Sequence, residues 1–452
     1  MTGSCHLITC GDKKILVDCG LYQGKRELVE ENKQPFGFDP RRIDFLLLSH
    51  AHLDHCGRIP LLVKRGFTGE IITTAASRDL ARLVMLDSAY LQEEEARWQS
   101  RKLARRGKSG EKVEPLYTRL DALDSLDHFG RTAVYDQAIA LGDGIQVTFH
   151  DAGHILGSAS VFLEVDEQGD RRRVLFSGDL GYRDRAILND PAPARKADVV
   201  VMETTYGDRL HKRLAPSVDE LYTAISDTFS RGGNVIIPSF ALERTQELLY
   251  FIRLGLAQGK LPSTLQVFLD SPMAISATEI FRRHPECYDD DSGRLFASGQ
   301  DPFGFPGLHF TSDTDQSMAL NRIHSGAVII AGSGMCTGGR VRHHLKHNLW
   351  REHCSVVFVG FAAYGTLARK IVDGAESVKI FGEEVSVRAS IYTIGGFSAH
   401  ADRDGLLAWH KQTGGSARTF LVHGEERAME SFAAQLDGVN VTLPAEGEVY
   451  AL

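Results

Sequence analysis

The stretch FLLLSHAHLDHCGRIP, residues 45–60, places three histidines and an aspartate within six positions after an apolar run. The apolar run predicts a buried strand, and the polar residues that follow predict a loop at the edge of a sheet. In an extended segment alternate residues point the same way, so His50 and His52 can bind one cation. Asp54 and His55 follow at a turn, where they can face a second cation. The stretch therefore predicts a metal centre at the end of a strand.

Two further candidate ligands follow other short apolar runs. His154 lies in DAGHILGSAS and Asp179 in LFSGDLGY, and neighbouring glycines allow close backbone approach at both places. Either residue alone could serve in a turn or a cap, but beside the 50–55 run we interpret both as ligands. Asp179 can bridge two cations, because a carboxylate has two oxygens. Asp18, at the end of KKILVDCG, is expected to hold a ligand imidazole in one tautomer.

The composition is that of a globular protein, with 452 residues of which 43% are hydrophobic. No apolar run approaches the roughly 20 residues that span a bilayer, and the start MTGSCHLITC does not resemble a signal peptide. We therefore expect a cytoplasmic protein without a membrane partner. The seven cysteines form no CxxC pair, and their odd number argues against a closed disulfide framework.

The formal net charge of -8 disfavours nucleic acid as a partner only if the charge is evenly spread. Two basic stretches reverse the sign locally: RWQSRKLARRGK, residues 97–108, and GRVRHHLKHNLWREH, residues 339–353. Each stretch is more often a solvated helix face than a surface that binds a polyanion. Both interpretations stay open at this point.

Strand and helix patterns divide the chain into three segments. Residues 1–207 mix short strands with one long helical stretch, and residues 208–374 alternate helices with near-continuous apolar strands. The second pattern is typical of a parallel sheet covered on both faces. Residues 375–452 return to alternating strands. The pattern predicts an α/β domain, 208–374, inserted within another domain formed by 1–207 and 375–452.

At this point the sequence resembles the metallo-β-lactamase superfamily. The HxHxDH run at 50–55, the later His154 and the later Asp179 match the motifs of that family. The resemblance implies an αββα sandwich that holds a dinuclear zinc site. It does not determine the substrate, because one fold serves many reactions.

Three further segments resemble the A, B and C motifs of the β-CASP group, the nucleic-acid-processing members of that superfamily. They are VVVMETTYG with Glu203, GGFSAHAD with His400 and FLVHGEE with His423. PSFALERTQELL, GSGMCTGGR and GTLARK resemble the domain inserted in this group. The implied fold is α/β, a metallo-β-lactamase αββα sandwich with an inserted Rossmann-like β-CASP domain. A histidine at motif C, here His423, is typical of the RNA-cleaving members.

The resemblance also implies which residues hold two Zn²⁺ ions. One ion is assigned to the residues that match the first ligand set: His50, His52, His154 and Asp179. The other ion is assigned to the second set: Asp54, His55, the shared Asp179 and His423.

The implied reaction is hydrolysis of a phosphodiester by hydroxide shared between two metals, with Asp54 and Asp179 counted among the catalytic residues. The leaving oxygen needs a proton, and His400 is our candidate acid. Glu203 is expected to orient His400 and keep it protonated, because a neighbouring carboxylate raises the pKa of an imidazole.

The segment AGSGMCTGGR supplies candidate substrate-binding groups in the inserted domain. We expect Ser333, Gly334, Thr337 and Arg340 to contact RNA phosphates through backbone N–H groups and the guanidinium. The alternative is an ordinary turn between a strand and a helix.

These observations predict a zinc-dependent ribonuclease that cuts single-stranded RNA and leaves 5′-phosphate and 3′-hydroxyl ends. Endonuclease and 5′-3′ exonuclease modes remain open, and a homodimer is compatible with the sequence. The alternatives are a small-molecule metallohydrolase of the thioesterase or lactamase type, a DNA nuclease of the same superfamily, and an inactive RNA-binding scaffold. Loss of ligand residues would favour the scaffold, but every expected ligand type is present.

Overall fold

The computed structural model describes residues 3–24, 26–107, 111–167, 169–360, 362–415 and 418–452. Its strands are β1 (His6–Cys10), β2 (Lys13–Val17), β3 (Phe45–Leu47), β4 (Glu70–Thr74), β5 (Phe129–Ala133), β6 (Ala138–Gly142), β7 (Ile145–Asp151), β8 (Ala159–Glu167), β9 (Asp170–Phe176), β10 (Val199–Glu203), β11 (Val235–Pro238), β12 (Gln266–Asp270), β13 (Leu308–Phe310), β14 (Ala327–Ala331), β15 (Ser355–Val359), β16 (Ser377–Ile380), β17 (Glu383–Ser386), β18 (Ser390–Ile394), β19 (Arg418–Val422) and β20 (Val441–Thr442).

The α-helices are α1 (Arg26–Glu31), α2 (Leu53–Cys56), α3 (Ile59–Lys64), α4 (Ala75–Arg105), α5 (Arg119–Asp124), α6 (Leu214–Ser230), α7 (Arg244–Ala257), α8 (Pro272–Arg283), α9 (Asp290–Ala297), α10 (Thr314–Leu320), α11 (Val341–Asn348), α12 (Leu367–Val372), α13 (Arg403–Lys411) and α14 (Glu426–Ala433). Short 3₁₀ helices lie at Pro40–Arg42, Ser125–His128 and Pro285–Cys287. Among the helices of the described segments, none is both long and apolar enough to cross a bilayer.

Contacts divide the chain into two units, and the first comprises Met1–Arg183, Asp190–Leu210 and His400–Leu452. It contains a five-stranded sheet in the order β1-β2-β3-β4-β5 and a seven-stranded sheet in the order β20-β19-β10-β9-β8-β7-β6. Apolar side chains of both sheets form one core, in which Leu47 and Ile72 of the first sheet pack with Val147 and Leu163 of the second. The two sheets therefore lie face to face.

Helices cover the outer face of the seven-stranded sheet. Val199 points into the core between the sheets, whereas the next residue, Val200, packs with Trp409 of α13 and Phe432 of α14. Successive side chains of a strand point to opposite faces, so the continuous apolar run of β10 reflects burial on both. On the five-stranded sheet α4 contacts β4 and β5. The predicted αββα sandwich is confirmed.

The second unit comprises Asp184–Asn189 and His211–Ala399. Its six-stranded sheet has the order β13-β12-β14-β11-β15-β18, and every pairing is parallel. Ile236 of β11 packs with Leu345 of α11 on one face, while the next residue, Ile237, is fully buried on the other. A parallel sheet covered on both faces is the predicted Rossmann-like arrangement.

The strands that follow residue 374 differ from the sequence interpretation in one respect. β16 and β17 form a separate antiparallel hairpin, but β18 pairs along its whole length with β15 of the parallel sheet. The second unit accordingly runs to Ala399. Alternation along a strand indicates that it is half-buried and does not indicate its partner. The domain boundaries at 207 and 374 stay predictions.

Candidate metal centre

The candidate ligands follow strands whose carboxyl ends lie at one edge of the seven-stranded sheet. β9, β10 and β19 are parallel neighbours, and β7 runs in the same direction because both β7 and β9 are antiparallel to β8. The loops or last residues of these strands carry His154, Asp179, Glu203 and His423. His50 follows β3 of the facing sheet, so five distant segments can meet at one place.

Close backbone packing brings two of these loops together. Gly181 donates its N–H to the carbonyl of Ala152 at 2.7 Å. A Cβ on Gly181 would lie 1.8 Å from the oxygen of Gly153, so only glycine fits there. Gly181 also pairs with His400 in an isolated antiparallel bridge. The segments that bear His154, Asp179 and His400 are therefore held side by side.

The first ligand group consists of His50, His52, His154 and Asp179. Nδ1 of His52 lies 3.1 Å from Nε2 of His50 and 3.2 Å from Nε2 of His154. Oδ2 of Asp179 lies 3.4 Å from Nε2 of His50 and 3.6 Å from Nε2 of His154. Ligand atoms about 2.1 Å from a tetrahedral zinc lie about 3.4 Å apart. The observed spacing fits one such ion.

The second ligand group consists of Asp54, His55 and His423. Oδ2 of Asp54 lies 3.3 Å from Nε2 of His423. Oδ1 of Asp179, the oxygen turned away from the first group, lies 3.3 Å from Nε2 of His55 and 3.3 Å from Nδ1 of His423. The two oxygens of Asp179 thus face different groups, which is the arrangement of a bridging carboxylate.

Two buried atoms in this cluster indicate that the residues fit a cation. Nε2 of His55 and Oδ1 of Asp179 lie 3.3 Å apart, both side chains are only 2% exposed, and neither atom makes a hydrogen bond within the part of the chain that the structure describes. A buried polar atom without a partner costs free energy, and a bound cation would satisfy both atoms. His50 and His154 are fully buried as well. A cluster of this kind, with imidazole and carboxylate donors, suits Zn²⁺.

The pKa values separate the imidazoles into two classes. Burial lowers the pKa of His50 and His154 and lowers that of His52 to about 3, so these rings are neutral, as metal ligands must be. Burial acts in the same direction on His55 and His423, but Asp179 outweighs it and raises both pKa values. The raised pKa values of His55 and His423 reflect the negative charge of Asp179, which a bound cation would neutralise in place of the ring protons.

Asp18 accepts hydrogen bonds that orient two ligand imidazoles. Its Oδ2 lies 2.7 Å from Nδ1 of His55 and accepts the hydroxyl of Ser49 at 2.8 Å, while Oδ1 accepts the Ser49 N–H at 2.7 Å. The Ser49 oxygen lies 3.0 Å from Nδ1 of His50. When both Nδ1 atoms donate in this network, Nε2 of each ring keeps a lone pair for a metal.

Glu203 and His400 form a pair beside the first ligand group. Oε2 of Glu203 lies 3.0 Å from Nδ1 of His400, and Oε1 accepts the N–H of Leu180 at 2.5 Å. Burial lowers the pKa of His400, but the fully buried Glu203 carboxylate outweighs it and raises the pKa to about 9. Nδ1 of His400 lies 4.0 Å from Oδ2 of Asp179. A protonated imidazole thus lies next to the ligand cluster.

Comparisons with known proteins agree with this architecture. Residues 1–239 match the metallo-beta-lactamase superfamily, residues 245–371 the Beta-Casp domain, and residues 384–444 the Zn-dependent metallo-hydrolase RNA specificity domain. The chain belongs to the β-CASP group of the metallo-β-lactamase superfamily. The predicted family, the β-CASP ribonuclease group, is confirmed, and with it a metal-dependent hydrolase.

Individual relatives of this β-CASP hydrolase cover most of its length. Ribonuclease TTHA0252 of Thermus thermophilus is 38% identical over 450 residues, which cover 99% of this chain and 96% of that protein. Transcription termination factor FttA of Methanosarcina mazei is 30% identical over 96% of this chain, which spans 66% of that relative. The RNase J-like protein of Methanocaldococcus jannaschii is 28% identical, with 95% of this chain and 91% of that protein covered.

Three polar residues that support the centre were absent from the sequence interpretation. Ser49 links His50 to Asp18, and its position next to the first histidine was the available signal. Thr205 places its hydroxyl oxygen 3.1 Å from Nδ1 of His423, and the Ser177 hydroxyl oxygen accepts the N–H of Glu203 at 2.9 Å. Thr205 and Ser177 lack any such signal, because their partners are remote in sequence or use backbone atoms.

The candidate substrate-binding residues lie apart in sequence from the ligands, in the second unit after β14. Both terminal nitrogens of Arg340 donate within the protein, Nη1 to Asp270 at 2.7 Å and to the Thr311 carbonyl at 3.0 Å, and Nη2 to the Ser312 carbonyl at 2.9 Å. These contacts give Arg340 a structural role in this unit. RNA contact by Ser333, Gly334, Thr337 and Arg340 stays a prediction.

Proposed function

We propose that this β-CASP enzyme uses two Zn²⁺ ions to hydrolyse phosphodiester bonds of single-stranded RNA and leaves 5′-phosphate and 3′-hydroxyl ends. One observation carries the proposal: the two oxygens of Asp179 face two separate candidate ligand groups, and Nδ1 of His400 lies 4.0 Å from Oδ2 of Asp179. The RNA specificity match over residues 384–444, which include His400 and His423, supports RNA as the substrate. The relative named Ribonuclease TTHA0252 supports it as well.

Two sets of side chains would hold the ions. His50, His52, His154 and Asp179 would hold one ion, and Asp54, His55, Asp179 and His423 the other. A metal pair in such a site supplies an activated water and neutralises charge on the phosphoryl oxygens. Asp18 and Ser49 would keep the imidazoles of His50 and His55 in the tautomer that presents Nε2.

His400 supplies the remaining requirement, a proton for the departing 3′ oxygen. Its pKa of about 9 keeps the ring protonated at neutral pH. Glu203 accepts the Nδ1 proton at 3.0 Å, so Nε2 is the position from which the ring donates. The hydrogen bond from Leu180 N–H to Glu203 holds the carboxylate in place while the charge on His400 changes.

Two substitutions separate these roles. His400→Ala should keep near-normal zinc content and lose about 10²- to 10⁴-fold in cleavage rate, the usual contribution of a general acid. Asp179→Ala should lose bound zinc together with activity, because it removes a donor from both groups. The exposed His324→Ala serves as a control that should change neither quantity. Full cleavage by His400→Ala would contradict the acid role, and two tightly held zinc ions in Asp179→Ala would contradict the bridge.

The substrate and the cutting mode are tested together. End-labelled linear RNA, circular RNA, single-stranded DNA and a thioester panel are incubated with the zinc-loaded chain. We expect cleavage of RNA and no turnover of thioesters, and cutting of the circle would assign the endonuclease mode. Turnover of thioesters without cleavage of RNA would contradict the proposal, and equal cleavage of DNA would contradict specificity for RNA. Cytoplasmic location and a homodimer stay predictions.

A further inference from the structure

The last turns of α4 form a surface that the metal centre does not use. After Ala96 no residue of this helix is buried, and the helix continues to Arg105. This part of the 97–108 stretch is described up to residue 107, and Lys108 lies outside the described residues. The side chains of these turns therefore do not contribute to the hydrophobic core, and they are available to bind a partner.

Basic residues without acidic partners cover the end of the helix. Arg101, Lys102, Arg105 and Arg106 are exposed, and no carboxylate of the described segments lies within ion-pairing distance of any of them. Upstream in the same helix, Arg97 pairs with Glu93 and Glu94. A carboxylate partner offsets the charge of a surface arginine. These four cations have no such partner among the described residues, so they create a local excess of positive charge on a chain of net charge -8.

An exposed tryptophan lies on the same helix face. Trp98 is 55% exposed, and the ammonium of Lys102 lies 4.8 Å from the centre of its ring. Residues three, four and seven positions apart share a helix face, so Arg101, Lys102 and Arg105 lie on the same face as Trp98. A cation-flanked aromatic ring among unpaired arginines is the combination that binds single-stranded nucleic acid, because phosphates meet the cations and bases stack on the ring.

We propose that this surface, formed by Trp98, Arg101, Lys102, Arg105 and Arg106 and here called the α4 surface, binds single-stranded RNA outside the metal centre. The inference rests on the proposed function only in taking RNA as the substrate. An acidic protein would satisfy the cations, but it would leave the exposed indole without a stacking partner.

The position of the α4 surface predicts a dependence on RNA length. α4 begins beside the loop of His154, because the hydroxyl of Thr74 donates to the carbonyl of Gly157 at 2.7 Å. Trp98 lies 23 residues along the helix from Ala75, or about 35 Å at 1.5 Å per residue. Only an RNA that spans this distance can reach both sites, and such a two-site ligand binds more tightly than one site alone permits.

The test removes three charges without removing helix propensity. The α4 variant carries Arg101→Ala, Lys102→Ala and Arg105→Ala, and alanine is the strongest helix former. The control variant carries Arg171→Ala, Arg172→Ala and Lys196→Ala, three exposed cations elsewhere in the same unit. Both variants change the net charge equally. Binding of labelled RNA of about 40 nucleotides is measured by fluorescence anisotropy in a zinc-loaded His400→Ala background at several salt concentrations.

If three phosphate contacts are lost, the salt slope of the α4 variant should fall by about 2 and Kd at 0.1 M salt should rise about 100-fold. Trp98→Ala alone should weaken binding about tenfold, and Trp98→Phe less. Replacing Arg101 and Arg105 by lysine should preserve most of the affinity. With the chain able to cleave, the ratio of kcat/KM on the long RNA to that on an RNA of about 5 nucleotides should fall in the α4 variant.

Unchanged Kd and salt slope in the α4 variant would overturn the inference while leaving the proposed function intact. An equal loss in the control variant would also overturn it, because net charge would then explain the effect. Loss of binding to polyglutamate with undiminished RNA binding would reassign the surface to an acidic protein. A wild-type chain that neither binds nor cleaves RNA would overturn both the inference and the proposed function.

Discussion

Asp18→Asn is expected to weaken metal binding although it replaces none of the candidate ligands. Three donors converge on the two carboxylate oxygens of Asp18: the Ser49 N–H, the Ser49 hydroxyl and Nδ1 of His55. An asparagine side chain offers only one acceptor oxygen. At least one donor must therefore face the amide NH₂, in a place where Asp18 is 2% exposed and water cannot replace the lost partner.

The two orientations of the amide have different consequences. If its oxygen takes the place of Oδ2, the NH₂ meets the Ser49 N–H at the 2.7 Å contact and leaves a buried donor unsatisfied. If its oxygen takes the place of Oδ1, the NH₂ meets Nδ1 of His55, and the ring proton moves to Nε2. That atom is the one aimed at Asp179, so its lone pair is lost to a metal. Either outcome costs about 1–3 kcal/mol.

This cost predicts that the more weakly bound zinc ion has an about 10- to 100-fold lower affinity in the variant. Loss of a residue that orients a metal ligand usually has an effect of this size. The measurement is competition of the zinc-loaded chain with a chromophoric chelator, with total zinc counted by elemental analysis. Asp44→Asn is the matched control, because Asp44 accepts the backbone N–H of Lys14 at 2.9 Å and lies away from the centre. If Asp18→Asn held both zinc ions as tightly as the wild type, tautomer control by Asp18 would be refuted.

Two further substitutions test buried charges in the second unit. Glu247→Gln should lower the free energy of unfolding by about 3–5 kcal/mol, because Glu247 is fully buried and accepts hydrogen bonds from Arg244 at 2.7 Å and Arg185 at 3.3 Å. Urea unfolding measures the loss. A loss under about 1 kcal/mol, which is expected for a surface ion pair, would contradict this prediction. Asp270→Asn should lower the free energy of unfolding by about 2 kcal/mol at pH 7. Burial raises the pKa of Asp270, but hydrogen bonds from His344 and its neighbours outweigh burial and lower the pKa from 3.8 to about 2. A carboxyl with a lowered pKa stabilises the fold above pH 4 and loses that effect as the pH falls through 2, so the gap between the two proteins should shrink between pH 7 and pH 3. Urea unfolding at both pH values measures the gap, and a gap of constant size would argue against a charged Asp270.

The sequence alone determined the family and the layers of the fold, and it supplied the candidate ligands of the metal centre. Candidate ligands that occur close together, such as His50 and His52, are recognisable because a few residues after a strand must lie near one another. The apolar pattern of β10 predicts a strand buried on both faces, because burial acts on each residue in turn. Glu203 and His400 were identified through their similarity to family motifs, because neither spacing nor hydrophobic pattern indicates a functional role for them.

Only the tertiary structure decided which partners these residues meet. That Asp179 turns one oxygen to each ligand group, that Ser49 links His50 to Asp18, and that β18 joins the parallel sheet all depend on segments remote in sequence. Hydrogen bonds and strand pairing depend on distances of a few ångströms between such segments, and no local pattern encodes those distances. The proposed α4 surface follows the same rule, because only the fold decides which cations of a basic run meet a carboxylate, and none of the described carboxylates pairs with Arg101, Lys102, Arg105 or Arg106.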